Sequence, residues 1–243
     1  MIRYRSSIRH LCVTALLCCV SRGSPSQVKE SAHVEIHLKQ QAPARGSHDR
    51  KMRMTPAVVW LKPLGNKRIP FPPHGGYTLL QKNRMFTPHL LIVPVGSVVS
   101  FPNADPFFHN VFSLFDGKRF DLGLYEAGST KEVTFSHEGL SYVFCNIHPE
   151  MSAVVIALST PIYAVIDSNG DFQLHDVPTG DYELHVWIEG EMQPVLDKLA
   201  RRVHIVPGKN RLENIVLTST PEKPGKHDNK FGQAYGTDPK PVY

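Results

Sequence analysis

Alternating apolar positions begin at residue 33. In "HVEIHLK" Val34, Ile36 and Leu38 share one face of an extended segment, and "AVVWLKPL" (57–64) reads as a second strand. Between them "QQAPARGSHDRKMRM" is polar and reads as a loop, and "GNKRIPFPPHGG" (65–76) has too many Pro and Gly for regular structure. Residues 77–158 give short β-type runs separated by turn signals: "YTLLQ", "HLLIVPVGSVVSF", "TKEVTF", "SYVFC" and "AVVIA". Strands at that spacing predict a β-sandwich or barrel. The stretch "PNADPFFHNVFSLFDGKRFDLGLYEAGS" (102–129), rich in Phe and turn residues, reads as a long functional loop. From residue 162 a meander follows: "IYAVI", the turn "DSNGD", "DFQL", the turn "PTGD", then "YELHVWI", "VHIV" and "ENIVL". "MQPVLDKLARR" (192–202) predicts one short helix, and residues 219–243, rich in Pro, Lys and Gly, predict a disordered tail. The expected fold class is all-β.

The first 23 residues break this pattern. Arg3, Arg5 and Arg9 precede the apolar run "LCVTALLCCV", and Ser21 and Gly23 offer small residues at the −3 and −1 positions of a cut after Gly23. This is the three-part layout of a secretory signal. Ten apolar residues are too few to span a bilayer, which takes about 20, and no later run is long enough. The expectation is a Sec-type signal over 1–23 and a periplasmic or otherwise exported protein with no membrane span. Arg3 and Arg5 are not adjacent, which does not support a twin-arginine signal, and Leu17 and Cys18 fit a lipid anchor at Cys18 or Cys19 poorly.

Removing the signal changes the charge and the cysteine count. Four of the 27 Lys and Arg lie in residues 1–23 and none of the 22 Asp and Glu do, so the net charge falls from +5 to +1. A near-neutral chain gives no reason to expect a nucleic-acid partner. Three of the four cysteines also leave, and Cys145 remains without a disulfide partner in the expected mature chain.

Cys145 stands in "CNIHPEM", beside His148 and Met151. Thiolate, imidazole and thioether together suit copper, with Met as a weak axial ligand. Zinc rarely takes Met and wants four firm N, S or O donors. A trigonal site needs a second imidazole from the twelve histidines that follow the signal. His109 in "FFHNVF" lies 36 positions before Cys145, while His89 and His137 read as strand-edge and turn residues. His33, His37, His74, His175, His185, His204 and His227 fall outside the 77–158 unit and read as surface or capping residues, as does His48.

"FPNADPFFHNVFS" followed by "CNIHPEM" resembles the cupredoxins, the blue-copper family that includes plastocyanin and amicyanin. The Cys-x2-His-x2-Met spacing looks most like amicyanin, and "FDLGLY" (120–125) resembles exported proteins described as methylamine-utilisation-like. The resemblance covers about residues 77–158. It implies a Greek-key β-sandwich with one type 1 copper ion on His109, Cys145 and His148, with Met151 axial. It also implies that Asn110 ties the two ligand segments together. The implied function is a mononuclear blue-copper carrier of single electrons, not an enzyme, with protein redox partners docking near His148. Phe107, Phe108, Pro149 and Ala153 would either form an apolar docking patch there or, for the two Phe, fill the core. Glu150 is the alternative axial ligand. A copper-delivery protein without redox traffic and a structural sandwich module are the alternative functions.

"VIDSNGDFQLHDVPTGDYELHVWIEG" (165–190) resembles a carboxypeptidase-regulatory, transthyretin-like β-sandwich. That family's early strands look like "HVEIHLK" and "AVVWLKPL". The expectation is one sandwich from residues 28–70 and 159–218, with the copper domain of 77–158 inserted in it. The alternative is two consecutive domains with an irregular N-terminal extension. No acid–base or nucleophile set stands out in the second sandwich, and its expected role is scaffolding or docking.

Overall fold

The computed structural model describes residues 31–40, 55–114, 117–217 and 227–234. The signal expected at 1–23, most of the polar loop and His48 lie outside them. The chain is all-β, with one short helix among the described residues. In order, the first strands are β1 (Ser31–Gln40), β2 (Ala57–Pro63), β3 (Tyr77–Thr78), β4 (Leu80–Lys82), β5 (Met85–Thr87) and β6 (Leu90–Pro94). Then come β7 (Ser97–Pro102), β8 (His109–Ser113), β9 (Phe120–Tyr125), β10 (Thr130–Phe135), β11 (Gly139–Cys145) and β12 (Ser152–Leu158). The chain continues through β13 (Tyr163–Val165), β14 (Asp171–Pro178), β15 (Gly180–Ile188), α1 (Gln193–Leu199), β16 (Arg201–Ile205), β17 (Gly208–Arg211) and β18 (Ile215–Leu217).

Strand β1 runs antiparallel to β14 and parallel to β17 and β18, while a second sheet has the order β13-β2-β15-β16. Strands from residues 31–63 thus pair with strands from 163–217. Alternation works as expected here: Val34, Ile36 and Leu38 are buried with Leu61, Phe172, Tyr182, Leu184 and Trp187 in one core. Each such side chain contributes about 1.5–3 kcal/mol on full burial. The turn "VPTGDY" is fixed by two features. Gly180 has φ +140°, which a side chain rarely tolerates, and the Tyr182 hydroxyl donates to the Pro178 carbonyl at 2.5 Å.

The segment between carries three further sheets among the described residues, β10-β7-β3, β6-β12-β11-β8-β9 and the two-stranded β4-β5. Their shared core holds Val99, Phe101, Val111, Val143, Cys145 and Met151. β12 serves both cores. Ala153, Val155 and Ala157 point into this one, while Val154, Ile156 and Leu158 belong to the core of β1 and β2. A strand covered on both faces needs a continuous apolar run, which "AVVIA" supplies.

Several expectations are corrected. The Phe-rich stretch 102–129 is not one loop. It contains β8 and β9, which pair with each other across a register shift between Asn110 and Phe112. All five residues of β8 are buried, so the period-2 signal that marks a half-exposed strand is missing. "HLLIVPVGSVVSF" is two strands in different sheets, β6 and β7. The chain reverses between them at Gly96, whose φ is +92° and whose N–H reaches the Phe135 carbonyl at 2.7 Å. The helix expected at 192–202 ends at Leu199, and Arg201 starts β16. Within the tail expected to be disordered, residues 227–234 are placed and pack on the 145–151 turn: the His227 N–H donates to the Pro149 carbonyl at 3.2 Å. Polar composition shows that this segment builds no core of its own; it borrows partners from another element. Among the described residues no helix is long and apolar enough to cross a membrane.

Candidate metal centre

Two adjacent strands bring the site together. His109 opens β8 and Cys145 closes β11, and these strands pair antiparallel with Cys145 opposite Val111. The chain then folds back in a tight turn. The Asn146 N–H donates to the Asn110 carbonyl at 2.8 Å, the Met151 N–H to the His148 carbonyl at 3.0 Å, and the Cys145 N–H to the Met151 carbonyl at 3.1 Å. This closure carries His148 over Cys145.

Cys145 Sγ lies 3.5 Å from His109 Nδ1 and 3.5 Å from His148 Nδ1. The three donor atoms all fall within 4.8 Å of one another. Metal–ligand bonds of about 2.0–2.3 Å meeting at tetrahedral to trigonal angles set donors roughly 3.4–3.8 Å apart. The donor set therefore fits one shared first-row ion. His109 and Cys145 are fully buried and His148 is partly exposed. Met151 is buried in the same core as Cys145. Glu150, the alternative axial residue, is exposed.

Asp105 is a site residue that the sequence reading missed. Its carboxylate, 5% exposed, accepts from His109 Nε2 at 2.9 Å and from the backbone N–H groups of Asn83 at 2.6 Å and Arg84 at 3.0 Å. A carboxylate only accepts, so His109 carries its proton on Nε2 and turns the Nδ1 lone pair towards Cys145. The signal was present in "ADPFFH", where an acid stands four residues before His109. Burial pushes the Asp105 carboxyl up, but the Arg84 amide, the His109 ring N–H and the Asn83 amide outweigh it and hold it below its ordinary value.

Both imidazoles are held in the form a metal needs. Burial lowers His109 against the pull of Asp105. Burial, then repulsion from His109 and Arg84, lowers His148 to about 4. Both shifts favour the neutral ring, which has a lone pair to give. Burial pushes the Cys145 thiol up, opposed by the amides of Asn110, Ile147 and His148. Metal binding would release that proton.

The main chain of Asn110 joins the His109 strand to the turn after Cys145, while its side-chain amide donates to Asp121 at 2.6 Å. The Phe107 ring packs 5.4 Å from both imidazoles, under the Arg84 guanidinium at 5.3 Å. Phe108 is exposed, but Ala153 is buried and cannot belong to a surface patch. Other histidines have carboxylate partners instead: His37 with Asp171, His89 with Glu189, His185 with Glu183 and His204 with Asp181.

No protein-family profile matches the chain, and no curated protein sequence does. Among solved structures it is similar to a purple cupredoxin from Nitrosopumilus maritimus, at 26% identity and TM-score 0.30, over 33% of this chain and 96% of that one. It is similar to a copper-containing nitrite reductase from Thermus scotoductus at 22% identity and TM-score 0.33, over 38% of this chain and 28% of that one. A reduced amicyanin variant matches at 22% identity and TM-score 0.32, over 35% of this chain and 83% of that one.

Proposed function

We propose that this chain holds one type 1 copper ion on His109, Cys145 and His148, with Met151 axial, and carries single electrons between protein partners. The observation that carries the reading is the convergence of one buried thiol and two imidazoles at the spacing of a shared ion. Thiolate with two imidazoles suits copper, and a weak thioether completes a site with no strongly held open position for substrate. Copper supplies a one-electron couple when bound. The protein's part is rigidity. Asp105 fixes the His109 ring, and the Asn146–Asn110 hydrogen bond fixes the Cys145 turn. His148, the partly exposed ligand, marks where a redox partner docks, with Phe108 beside the site as exposed apolar surface.

The N-terminal pattern of 1–23 supports export. We read 77–158 as the copper domain, inserted in a carboxypeptidase-regulatory-like sandwich of 28–70 and 159–218 that acts as its scaffold. The pairing of β1 and β2 with strands beyond residue 162 supports that division.

The test is the visible spectrum of cupric-loaded protein beside Cys145→Ser. Strong absorption near the red end of the visible, lost in the variant, with reversible reduction, is the expected result. Tight cuprous binding without colour would replace electron transfer with copper delivery. No binding would leave a structural module.

A further inference from the structure

The turn that carries Cys145, His148 and Met151 is held from outside as well as from within. Residues 227–234 make three polar contacts with it or with its support. His227 N–H donates to the Pro149 carbonyl at 3.2 Å, and Lys230 N–H donates to Asn146 Oδ1 at 2.8 Å. Lys230 Nζ pairs with Asp121 Oδ2 at 2.7 Å. The other oxygen of Asp121 accepts from Asn110 Nδ2 at 2.6 Å and from the Gly123 N–H at 2.9 Å. One short segment therefore grips the neighbour of Cys145 directly and the neighbour of His109 through Asp121.

An apolar contact accompanies these. Phe112 and Phe144 face each other across β8 and β11, ring centroids 5.9 Å apart. They point to the opposite side of the sheet from Val111 and Cys145, which line the metal-side core. Phe112 belongs to neither of the two cores, yet it is 1% exposed. The His227 ring lies 4.4 Å from Phe144 and 6.1 Å from Phe112, so the segment helps cover this face behind the ligand strands. The segment is also folded in its own right. Asn229 Oδ1 accepts the N–H groups of Phe231 at 2.9 Å and Gln233 at 3.1 Å, and the Asn229 N–H donates to the Gln233 carbonyl at 2.8 Å. Lys230 stands inside that turn, directed by it.

We infer that residues 227–234 form a built-in clamp that keeps the 145–151 turn closed against β8, with Lys230 as its positioning residue. As a clamp on a ligand turn it rests on the reading of the metal centre above. Exposed turns open locally at low cost unless tied down, and the open form is what exchanges amide hydrogens. The clamp ties this turn at Asn146 and Pro149, on either side of His148.

The test uses hydrogen exchange on the metal-free, full-length chain, so it does not depend on copper. His227→Ala with Lys230→Met removes the ring contact and the ion pair. Amides of 146–151 are expected to exchange about tenfold faster, with β2 and β15 unchanged. Lys230→Arg, which keeps the charge, should stay close to the parent chain. Exchange of 146–151 within twofold of the parent would overturn the clamp. Acceleration of β2 and β15 by the same factor would also overturn it, since it would mark a general loss of stability. A colourless protein after cupric loading would end the copper reading and leave the exchange result standing; a blue protein with unchanged exchange would end the clamp alone.

Discussion

Around Leu184 the molecule buries carbon; around Cys145 it buries hydrogen-bonding groups. The first region packs Val34, Leu61, Phe172, Leu184 and Trp187, all fully buried, and the Tyr182 hydroxyl and the Trp187 indole N–H within it each have a partner. The second region buries Gln81, Asn103, Asp105, His109 and Asn110 beside its apolar core. Several of its polar groups are held, while Gln81 Oε1 and the hydroxyls of Ser97, Ser113 and Ser141 have no partner among the described residues. Gln81 bonds the Phe101 carbonyl and the Tyr125 hydroxyl, and Asn103 Nδ2 donates to the Phe107 carbonyl at 2.8 Å. Burying such groups costs free energy unless each is satisfied, and at best the return is small. A region that spends its interior this way is specified for geometry more than for stability. The apolar region supplies stability, and β12, shared by both cores, couples the two.

Two substitutions should separate these roles. Trp187→Ala empties the centre of the carbon-rich core and strips the Tyr142 hydroxyl of its donor at 3.1 Å. The expected loss is about 3–5 kcal/mol in denaturant unfolding, with the copper colour unchanged in the folded protein. If the colour changes as well, the two regions are one mechanical unit and the comparison fails. Asp105→Ala should act the other way round. It leaves the His109 Nε2–H and the Asn83 and Arg84 amides without their acceptor. Stability should fall by about 1–3 kcal/mol, and copper affinity by about 10–100-fold, because the His109 ring loses its tautomer and its aim. Competition with a chelator measures the second effect. Unaltered affinity would show that the strand alone positions His109.

The same contrast explains what the sequence made legible. Alternation revealed β1 and β15 because each has an outward face that stays polar, as in His33, Glu35 and His37. It concealed β8, where "HNVFS" is buried on both sides. In the site, Cys145, His148 and Met151 could be read together because one turn holds them within seven positions. His109 needed the resemblance to single it out from twelve histidines. Asp105 escaped because a lone acid near a histidine is common, and only the fold shows that it is buried and that its partner is a ring nitrogen. Residues 227–234 escaped for a different reason. Lys230 finds its partners 84 and 109 positions away, and nothing in a polar tail announces contacts at that distance.

The smallest effect sits where the two regions touch. His89, just before β6, donates Nδ1–H to the Ser152 carbonyl at 3.1 Å and faces Glu189 Oε1 with Nε2 at 2.5 Å. Both partners only accept, so both ring nitrogens must carry hydrogen, and the ring is cationic in this arrangement. The Glu189 hydrogen bond, working against burial, raises the His89 pKa above its ordinary value of 6.5. A raised folded value means that protonation favours the folded state. The contribution is therefore complete below about pH 6.5 and is lost as pH climbs through the higher folded value. Because the ring is part-exposed, solvent screens the pair and keeps the effect small. Unfolding of the parent chain and His89→Gln should differ most near pH 5.5 and converge by about pH 9, as denaturant midpoints across that range would show. Colour should follow neither curve, since His89 lies outside the ligand set. A constant gap between the two chains would mean that the contact at this seam is packing rather than charge, and that the two regions meet there on the terms of the carbon-rich core alone.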